Sequence, residues 1–278
     1  MIKRLRFSIP RIGSRPAITY SAYRTASTAV HHAIRAAGFG VSAKAHMLAP
    51  GNLVARVSER QRFAHASTSI PKSCHVGDWA VRLGIIEPRR EADFVIMVRD
   101  PWAVAHSIFV LSARKTHPEF SEECQDASDH TSLVDRAESI IFDRFPRDLM
   151  IRWMHEDAAI ALSWSPLESA FDRLRGSGTA VCGPWRVLVL RADINDDLKS
   201  SALRSFFDRP SIAVTPKNGS LGTRASSHRL SQIAREAIAR RPDIVSATYE
   251  TPFCRHYWLP AELDSMRASW TKQPRVTA

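Results

Sequence analysis

The sequence predicts an α/β fold with a central, mostly parallel β-sheet, and three observations lead to this prediction. Two short apolar runs, Asp93 to Val98 and Trp185 to Arg191, are typical of parallel strands that are covered on both faces. Segments with the helical spacing of apolar residues alternate with these strands. No internal repeat or clean linker interrupts the alternation, so we expect one α/β domain.

The first predicted strand, turn and helix lie near the start of the chain. Residues 16–21 indicate a short apolar strand, and residues 29–38 have helical spacing that stops at a glycine. The turn between them, Y-R-T-A-S-T, combines one cation with several hydroxyls. The first N–H groups of a helix lack partners and favour negative charge, so this turn can cradle an anion. On this stretch alone, a turn whose Ser and Thr side chains cap the helix is the simpler interpretation.

The strand Asp93 to Val98 begins a second unit of the same kind. It is followed at once by R-D-P-W, in which Asp100 can cap a helix that has Pro101 at its first position. Ligands of open parallel sheets bind outside the carboxyl ends of the strands. Cationic and hydroxyl groups at neighbouring strand ends suit a ligand with more than one phosphate. The groups expected at this edge are Arg24 to Thr28, Arg99 with Ser107, and Asp193.

The remaining elements follow from shorter patterns. Residues 40–45 predict a strand that leads into His46, and residues 63–73 and 211–222 predict loops. Leu133 to Trp164 is long, amphipathic and interrupted by a proline, which favours two packed helices. Further helical segments are predicted at 54–62, 79–86, 197–207, 228–240 and within 246–270.

The charge of the chain favours anionic partners. Its 278 residues carry a net charge of +11, which fits a nucleotide, a nucleic acid, an acidic glycan or a membrane surface. The positive charge is spread along the chain without a basic run, which disfavours a dedicated nucleic-acid reader. The four cysteines stand far apart, which favours reduced structural thiols over a zinc site.

The sequence also bears on localisation. No apolar run approaches the ~18 residues that a membrane-spanning helix needs. The basic N-terminus has neither the apolar core nor the cleavage site of a signal peptide. We therefore expect a cytoplasmic protein with no transmembrane segment; the sequence leaves the oligomeric state open.

At this point the motifs resemble those of a known superfamily. Y-R-T-A-S-T is similar to the 5′-phosphosulfate loop of sulfotransferases that use 3′-phosphoadenosine-5′-phosphosulfate (PAPS). R-D-P-W-A-V-A-H-S resembles their 3′-phosphate motif, in which a serine follows an arginine by eight residues. Within the superfamily, V-L-V-L-R-A-D and Y-E-T-P-F-C-R-H-Y-W-L-P-A-E-L are most similar to the bacterial capsular polysaccharide synthesis proteins. The resemblance covers residues 16–270, except for Lys115 to Thr131 and Gly176 to Gly183.

The resemblance implies a fold and a set of ligand contacts. The fold would be a P-loop-like, three-layer α/β/α sandwich over residues 16–270, between a basic tail at 1–15 and a short tail at 271–278. PAPS would be the sulfuryl donor, with no metal required. Arg99 and Ser107 would hold its 3′-phosphate, and Lys217 would close over it, although a solvated lysine is equally consistent. The leaving 5′-phosphate would be stabilised by Arg24 and by the amides of Thr25, Ala26, Ser27 and Thr28.

His46 is the predicted general base, because K-A-H-M-L-A-P resembles the position of the base histidine in this superfamily and histidine titrates near neutral pH. A buried or surface histidine with no catalytic role has equal weight among 11 histidines; His65 and Asp78 are reserves. Two departures from the family pattern stand out. Arg24 replaces a common lysine, so its role is electrostatic. Ala26 replaces a glycine, which predicts a negative φ and a looser phosphate wrap.

The sequence therefore predicts a sulfotransferase that acts on a hydroxyl, with a glycan in polysaccharide synthesis as one option. Two other classes stay open. A member that binds nucleotide without turnover would serve as a scaffold. A basic nucleic-acid-binding protein would show affinity that falls steeply with salt.

Overall fold

The computed structural model describes residues 15–53, 72–117, 120, 129–144, 148–215 and 225–272. These residues group into two compact units. The sheet unit comprises the described residues up to Val98 and those from Met154 to 215. The helical unit comprises the described residues from Arg99 to Trp153 and those from 225 onward. The prediction of a single domain over residues 16–270 stays a prediction.

The sheet unit is built on a five-stranded sheet with the order β2-β1-β3-β5-β4. Four strands run parallel, and β4 pairs with β5 in the antiparallel direction. The predicted central, mostly parallel sheet is thus confirmed, while β4 was not predicted. The strands are β1 (Ala17–Tyr20), β2 (Ser42–Ala45), β3 (Ala92–Val98), β4 (Ser177–Cys182) and β5 (Trp185–Arg191).

Helical segments account for most of the rest of the described chain. The helices are α1 (Ser27–Ala36), α2 (Lys72–Val81), α3 (Pro101–Thr116), α4 (His130–Ser139), α5 (Leu149–Trp153), α6 (Ala159–Leu162), α7 (Asp196–Phe207), α8 (Ala225–Ala239), α9 (Pro242–Tyr249), α10 (Pro252–Tyr257) and α11 (Pro260–Thr271). Three π-helical turns are also described. Arg82–Ile86 extends α2, Ile140–Arg144 extends α4, and Met154–Ala158 precedes α6.

The central strands β3 and β5 are buried on both faces, which explains their unbroken apolar runs. All seven residues of β3 are buried. One face packs against α1 and α7 through a cluster formed by Ala17, Val30, Ala33, Ile34, Val95, Met97, Leu188, Leu190, Leu203 and Phe207. On the other face, Tyr20 contacts Phe94 edge-on and hydrogen-bonds to Asp157 in the turn Met154–Ala158. This arrangement is consistent with a three-layer sandwich.

The helical unit is organised around α8, which packs against α3, α4 and α11. Trp102 is fully buried in this unit. Two ion pairs link α8 to α4: His130 with Glu236, and Arg240 with Asp135. Among the helices that the structure describes, none is both long and apolar enough to cross a membrane.

Candidate functional site

The carboxyl ends of β1 and β2 lie side by side, because the parallel register sets Tyr20 opposite Ala45. After β1 the chain continues into the loop of residues 21–26, and after β2 it continues into residues 46–49. Ligands of open parallel sheets bind outside such carboxyl ends. These two segments of the sheet unit therefore form the candidate site.

The loop after β1 has a strained backbone at two non-glycine residues. Arg24 has a φ of 66°, and Ala26, the residue before α1, has a φ of 59° and a ψ of 17°. The left-handed region costs an L-residue with a side chain about 1–2 kcal/mol. The prediction that Ala26 is limited to negative φ was wrong, because the fold holds alanine in the conformation that glycine adopts at no cost. Strain of this kind is concentrated at ligand sites.

No side chain of the described residues caps the N-terminus of α1, and its first turn has no acidic residue. The hydroxyl of Thr25 instead donates to the carbonyl oxygen of Ala22, at 3.0 Å. The simpler interpretation, in which Ser and Thr side chains cap this helix, was therefore wrong. An uncapped helix N-terminus attracts an anion through its N–H groups and its dipole.

Two cationic side chains belong to the same region. Arg24 is half-buried in the loop, and the Nζ of Lys44 donates to the hydroxyl of Thr28 at 2.9 Å. Sequence reasoning missed Lys44, because a lysine in a short strand is normally a solvated residue. The available signal was the register of the two strands. It sets β2, which carries Lys44, beside β1 at the point where β1 enters the loop.

His46 is held from three sides. Its Nδ1 lies 2.8 Å from the carbonyl oxygen of Ser21, its ring stacks on Tyr23 at 4.3 Å between centroids, and its backbone N–H donates to Asp78 at 2.6 Å. Because a carbonyl only accepts, Nδ1 carries the proton and Nε2 is the nitrogen that can take another. Burial, with Lys44 adding to it, lowers the pKa of His46 to about 4, so the ring is neutral at pH 7.

Asp157 fixes the segment that carries His46. Its carboxylate accepts hydrogen bonds from the Tyr20 hydroxyl, from the amides of Leu48 (2.8 Å) and Ala49 (3.3 Å), and from Asn52 (2.8 Å). Burial raises the pKa of Asp157 and, more strongly, the pKa of Tyr20. The segment after β2 is therefore a rigid support, and Asp157 is a residue that sequence reasoning could not have identified.

The second predicted motif lies in the helical unit. Arg99 is half-buried, and Ser107, on α3, is 9% exposed. Burial, followed by the charges of Arg235 and Arg99, lowers the pKa of His106 to about 4, although its contact with Ser231 opposes the shift. Arg235, on α8, lies 4.7 Å from the centre of the Trp270 ring, which His106 also contacts, and it was not predicted.

Asp100 caps α3, as the sequence predicts. Its carboxylate accepts hydrogen bonds from the amide of Trp102 (3.0 Å), the hydroxyl of Tyr249 (2.9 Å) and the indole of Trp270 (2.7 Å). Burial raises the pKa of Asp100 in spite of these three donors. The N-terminus of α3 is therefore occupied by its own chain.

Other sequence-predicted residues fall outside the site or outside the described chain. Asp193 forms an ion pair with the buried Arg191, with a shortest distance of 2.6 Å, so its place in the fold is explained without a ligand. Lys217 and the reserve His65 lie outside the described residues. Within the described part of the chain, no cluster of three His, Cys, Asp or Glu side chains could hold a metal ion.

Comparison of the chain with models of protein families, with curated proteins and with solved structures found no match. Within the sheet unit, the structure brings Lys44 to Thr28 at the start of α1, and His46 to Ser21 and Tyr23 in the loop before it.

Proposed function

We propose that the protein is a P-loop-like sulfotransferase that transfers a sulfuryl group from PAPS to a hydroxyl. The observation that carries the proposal is the uncapped N-terminus of α1, preceded by left-handed Arg24 and Ala26. A loop that stores strain in order to present backbone donors fits a role in anion binding better than a role in connecting two elements.

The residues of this loop fit the 5′-phosphosulfate end of the donor. Arg24 and Lys44 supply two positive charges, and the amides of residues 25–28 supply fixed donors. Arg99 and Ser107 are assigned to the 3′-phosphate on the strength of their spacing in the sequence. When bound, PAPS supplies an activated sulfuryl group on a phosphate leaving group.

The proposed chemistry needs charge stabilisation and one proton transfer. Negative charge grows on the leaving phosphate oxygen, where Arg24, Lys44 and the amides of α1 would stabilise it. The acceptor hydroxyl must lose its proton, and Nε2 of His46 is the atom assigned to take it. A bound anion next to His46 favours the imidazolium, which raises the pKa of His46 from about 4 towards the range in which a base works.

A second candidate function, nucleotide binding without turnover, is favoured by one observation. His46 is only 8% exposed, and its pKa of about 4 makes it a weak base before any ligand binds. In this case the site would bind the nucleotide, and His46 would serve only to connect β1 and β2.

The experiment that tests the proposal measures release of adenosine 3′,5′-bisphosphate from PAPS with a panel of hydroxyl acceptors. We expect release by the wild type, with a loss of about 100-fold in kcat for His46→Gln, as is usual when a general base is removed. Arg35→Ala, at the far end of α1, is the matched control and should keep full activity. Bisphosphate binding without turnover on any acceptor would favour the second candidate, and absence of binding would reject both.

A further inference from the structure

The inference concerns the outer edge of β4, which is an end strand of the described sheet. Ser177 exchanges two backbone hydrogen bonds with Asp172, at 2.9 and 3.2 Å, on the side opposite β5. Because backbone groups alternate along a strand, those of Thr179 and Val181 face the same outer side. Among the described residues, no strand pairs with β4 beyond the bridge at Asp172. Within the described chain, the edge is therefore closed at Ser177 and open from Thr179 to Val181.

A groove of about 890 Å³ runs beside this open edge, between β4 and α7. It is lined by Thr179 and Val181 on the strand side and by Leu198, Ala202 and Phe206 on the helix side. Val181 is 77% exposed and Leu198 is 38% exposed. The sequence of β4, S-G-T-A-V-C, has no charged residue and no proline that would block pairing. Exposed apolar side chains next to an open strand edge suit an added strand whose apolar face is turned towards α7.

The described residues begin at Arg15, on the end of the sheet at which β4 finishes. The guanidinium of Arg15 donates a hydrogen bond of 2.7 Å to the carbonyl oxygen of Pro184, in the turn between β4 and β5. It also lies 3.7 Å from the carboxylates of Glu91 and Asp93, at the start of β3. Residues 1–14, which lie outside the described residues, therefore join the sheet unit within reach of the edge of β4.

The sequence before Arg15 contains the pattern of an amphipathic strand. In R-L-R-F-S-I, residues 4–9, apolar side chains alternate with polar ones. Pro10 ends the alternation, and a proline cannot donate to a strand ladder. A strand with this pattern places Leu5 and Phe7 on one face, which matches the apolar side of the groove.

We propose that residues 4–8 lie along the outer edge of β4 as an added parallel strand, with Leu5 and Phe7 in the groove. The direction is parallel because a chain that continues to Arg15 leaves this edge at the end where β4 finishes. The eight residue steps from Phe7 to Arg15 span up to roughly 26 Å. The four strand spacings from this edge to β1 amount to roughly 19 Å, so the connection is long enough. A tethered segment also has a higher effective concentration at the edge than a second copy of the chain.

The register follows from the side chains that line the groove. Phe7 faces the groove when it lies beside Val181. Arg6 then directs its N–H at the carbonyl oxygen of Thr179 and its carbonyl oxygen at the amide of Val181. Both hydrogen bonds lie past Ser177, so the existing bridge at that residue stays in place.

Hydrogen exchange of the full chain tests the proposal at the Val181 amide. We expect this amide to exchange slowly in the wild type, at a rate that does not depend on protein concentration. Phe7→Lys places a charge in the apolar groove, and we expect it to speed this exchange by at least about tenfold. Ser8→Lys adds the same charge on the opposite face of the segment. It is the matched control and should leave the rate unchanged.

A pair of introduced cysteines tests the register. Under a mild oxidant, Phe7→Cys combined with Val181→Cys should form a disulfide within one chain, whereas Ser8→Cys combined with Val181→Cys should not. Fast exchange of the Val181 amide in the wild type, or an equal response to the two lysine variants, would overturn the proposal. Protection that falls on dilution, or a disulfide that forms only between chains, would also overturn it, because a second copy would then cover the edge.

Discussion

The starts of α1 and α3 make an instructive comparison, because each helix follows a parallel strand after a short basic turn. The start of α3 is conventional: Asp100 caps it, Pro101 occupies its first position, and Tyr249 and Trp270 hold the cap. The start of α1 has no side-chain cap from the described residues, and Ala26 before it is left-handed. The chain thus caps one helix N-terminus with a side chain, whereas no described side chain caps the other.

This difference assigns separate roles to the two motifs. At α3, Asp100 already accepts the amide hydrogen of Trp102, so the proposed contribution of this motif comes from the side chains of Arg99 and Ser107. At α1, the proposed donors are the backbone amides, and Arg24 and Lys44 would add charge. The proposed function would compensate for the strain of this turn, which no described side chain caps, by the binding of an anion.

The largest effect is expected at the N-terminus of α3, which Asp100 caps. Asp100→Ala should lower the free energy of unfolding by about 3 kcal/mol, because it removes a cap and leaves two buried donors without an acceptor. Urea denaturation measures this loss. The control is Asp129→Ala, which removes the exposed cap of α4 and should cost about 1 kcal/mol. Equal losses in the two variants would contradict the buried role of Asp100.

The next effect concerns the N-terminus of α1, which is the proposed ligand site. Lys44→Ala should weaken binding of adenosine 3′,5′-bisphosphate about tenfold, because it removes a charge that contacts the first turn of α1. Equilibrium fluorescence titration measures the affinity. Lys199→Ala, on α7, removes a lysine that pairs with Asp196 and should leave the affinity unchanged. If net charge alone determined the affinity, Lys44→Ala and Lys199→Ala would lower it equally, which would contradict the prediction.

A third prediction uses a buried histidine from each unit. The pKa values of His46 and His106 are lowered to about 4 in the folded chain, against 6.5 when exposed. The unfolded chain therefore takes up these protons first as the pH falls, and stability should decrease between pH 6.5 and about 4. As the pH falls through this range, the midpoint of unfolding should fall less steeply in His46→Gln and in His106→Gln than in the wild type.

Asp100 and Asp157 have raised pKa values, so their protonation acts in the opposite direction at the acidic end of this range. The comparison of each histidine variant with the wild type isolates the histidine contribution. An imidazole pKa near 6.5 by NMR for either histidine would contradict the prediction for that residue.

The smallest effect tests the strain directly. Ala26→Gly should raise the free energy of unfolding by up to about 1 kcal/mol, because glycine adopts the left-handed conformation without strain. The same change at Ala202, in the middle of α7, should lower it by about 1 kcal/mol. If the turn is strained, chemical denaturation should show that the two Ala→Gly substitutions change the free energy of unfolding in opposite directions. A loss of stability in Ala26→Gly would show that it is not.

The central strands could be predicted because they are buried on both faces. β3 and β5 appear in the sequence as unbroken apolar runs, and β5 has the predicted bounds. β4 could not be predicted, because an edge strand with one exposed row has no such run and depends on its antiparallel pairing with β5.

The site was predictable only where local chemistry determines it. The cap at Asp100 follows from the sequence D-P, whereas the left-handed φ of Ala26 goes against the general preference of alanine. The role of Asp157 could not be predicted, because it meets Tyr20 across 137 residues of sequence. Lys44 required the register of β2 with β1.

The central claim is that the uncapped turn before α1 binds the phosphate groups of a nucleotide. Calorimetric titration with adenosine 3′,5′-bisphosphate tests it most directly, on the wild type, Arg24→Ala and the control Arg35→Ala. We predict micromolar binding by the wild type and the control, and a loss of at least about tenfold in Arg24→Ala. Absence of binding by the wild type, or equal binding by all three proteins, would contradict the claim.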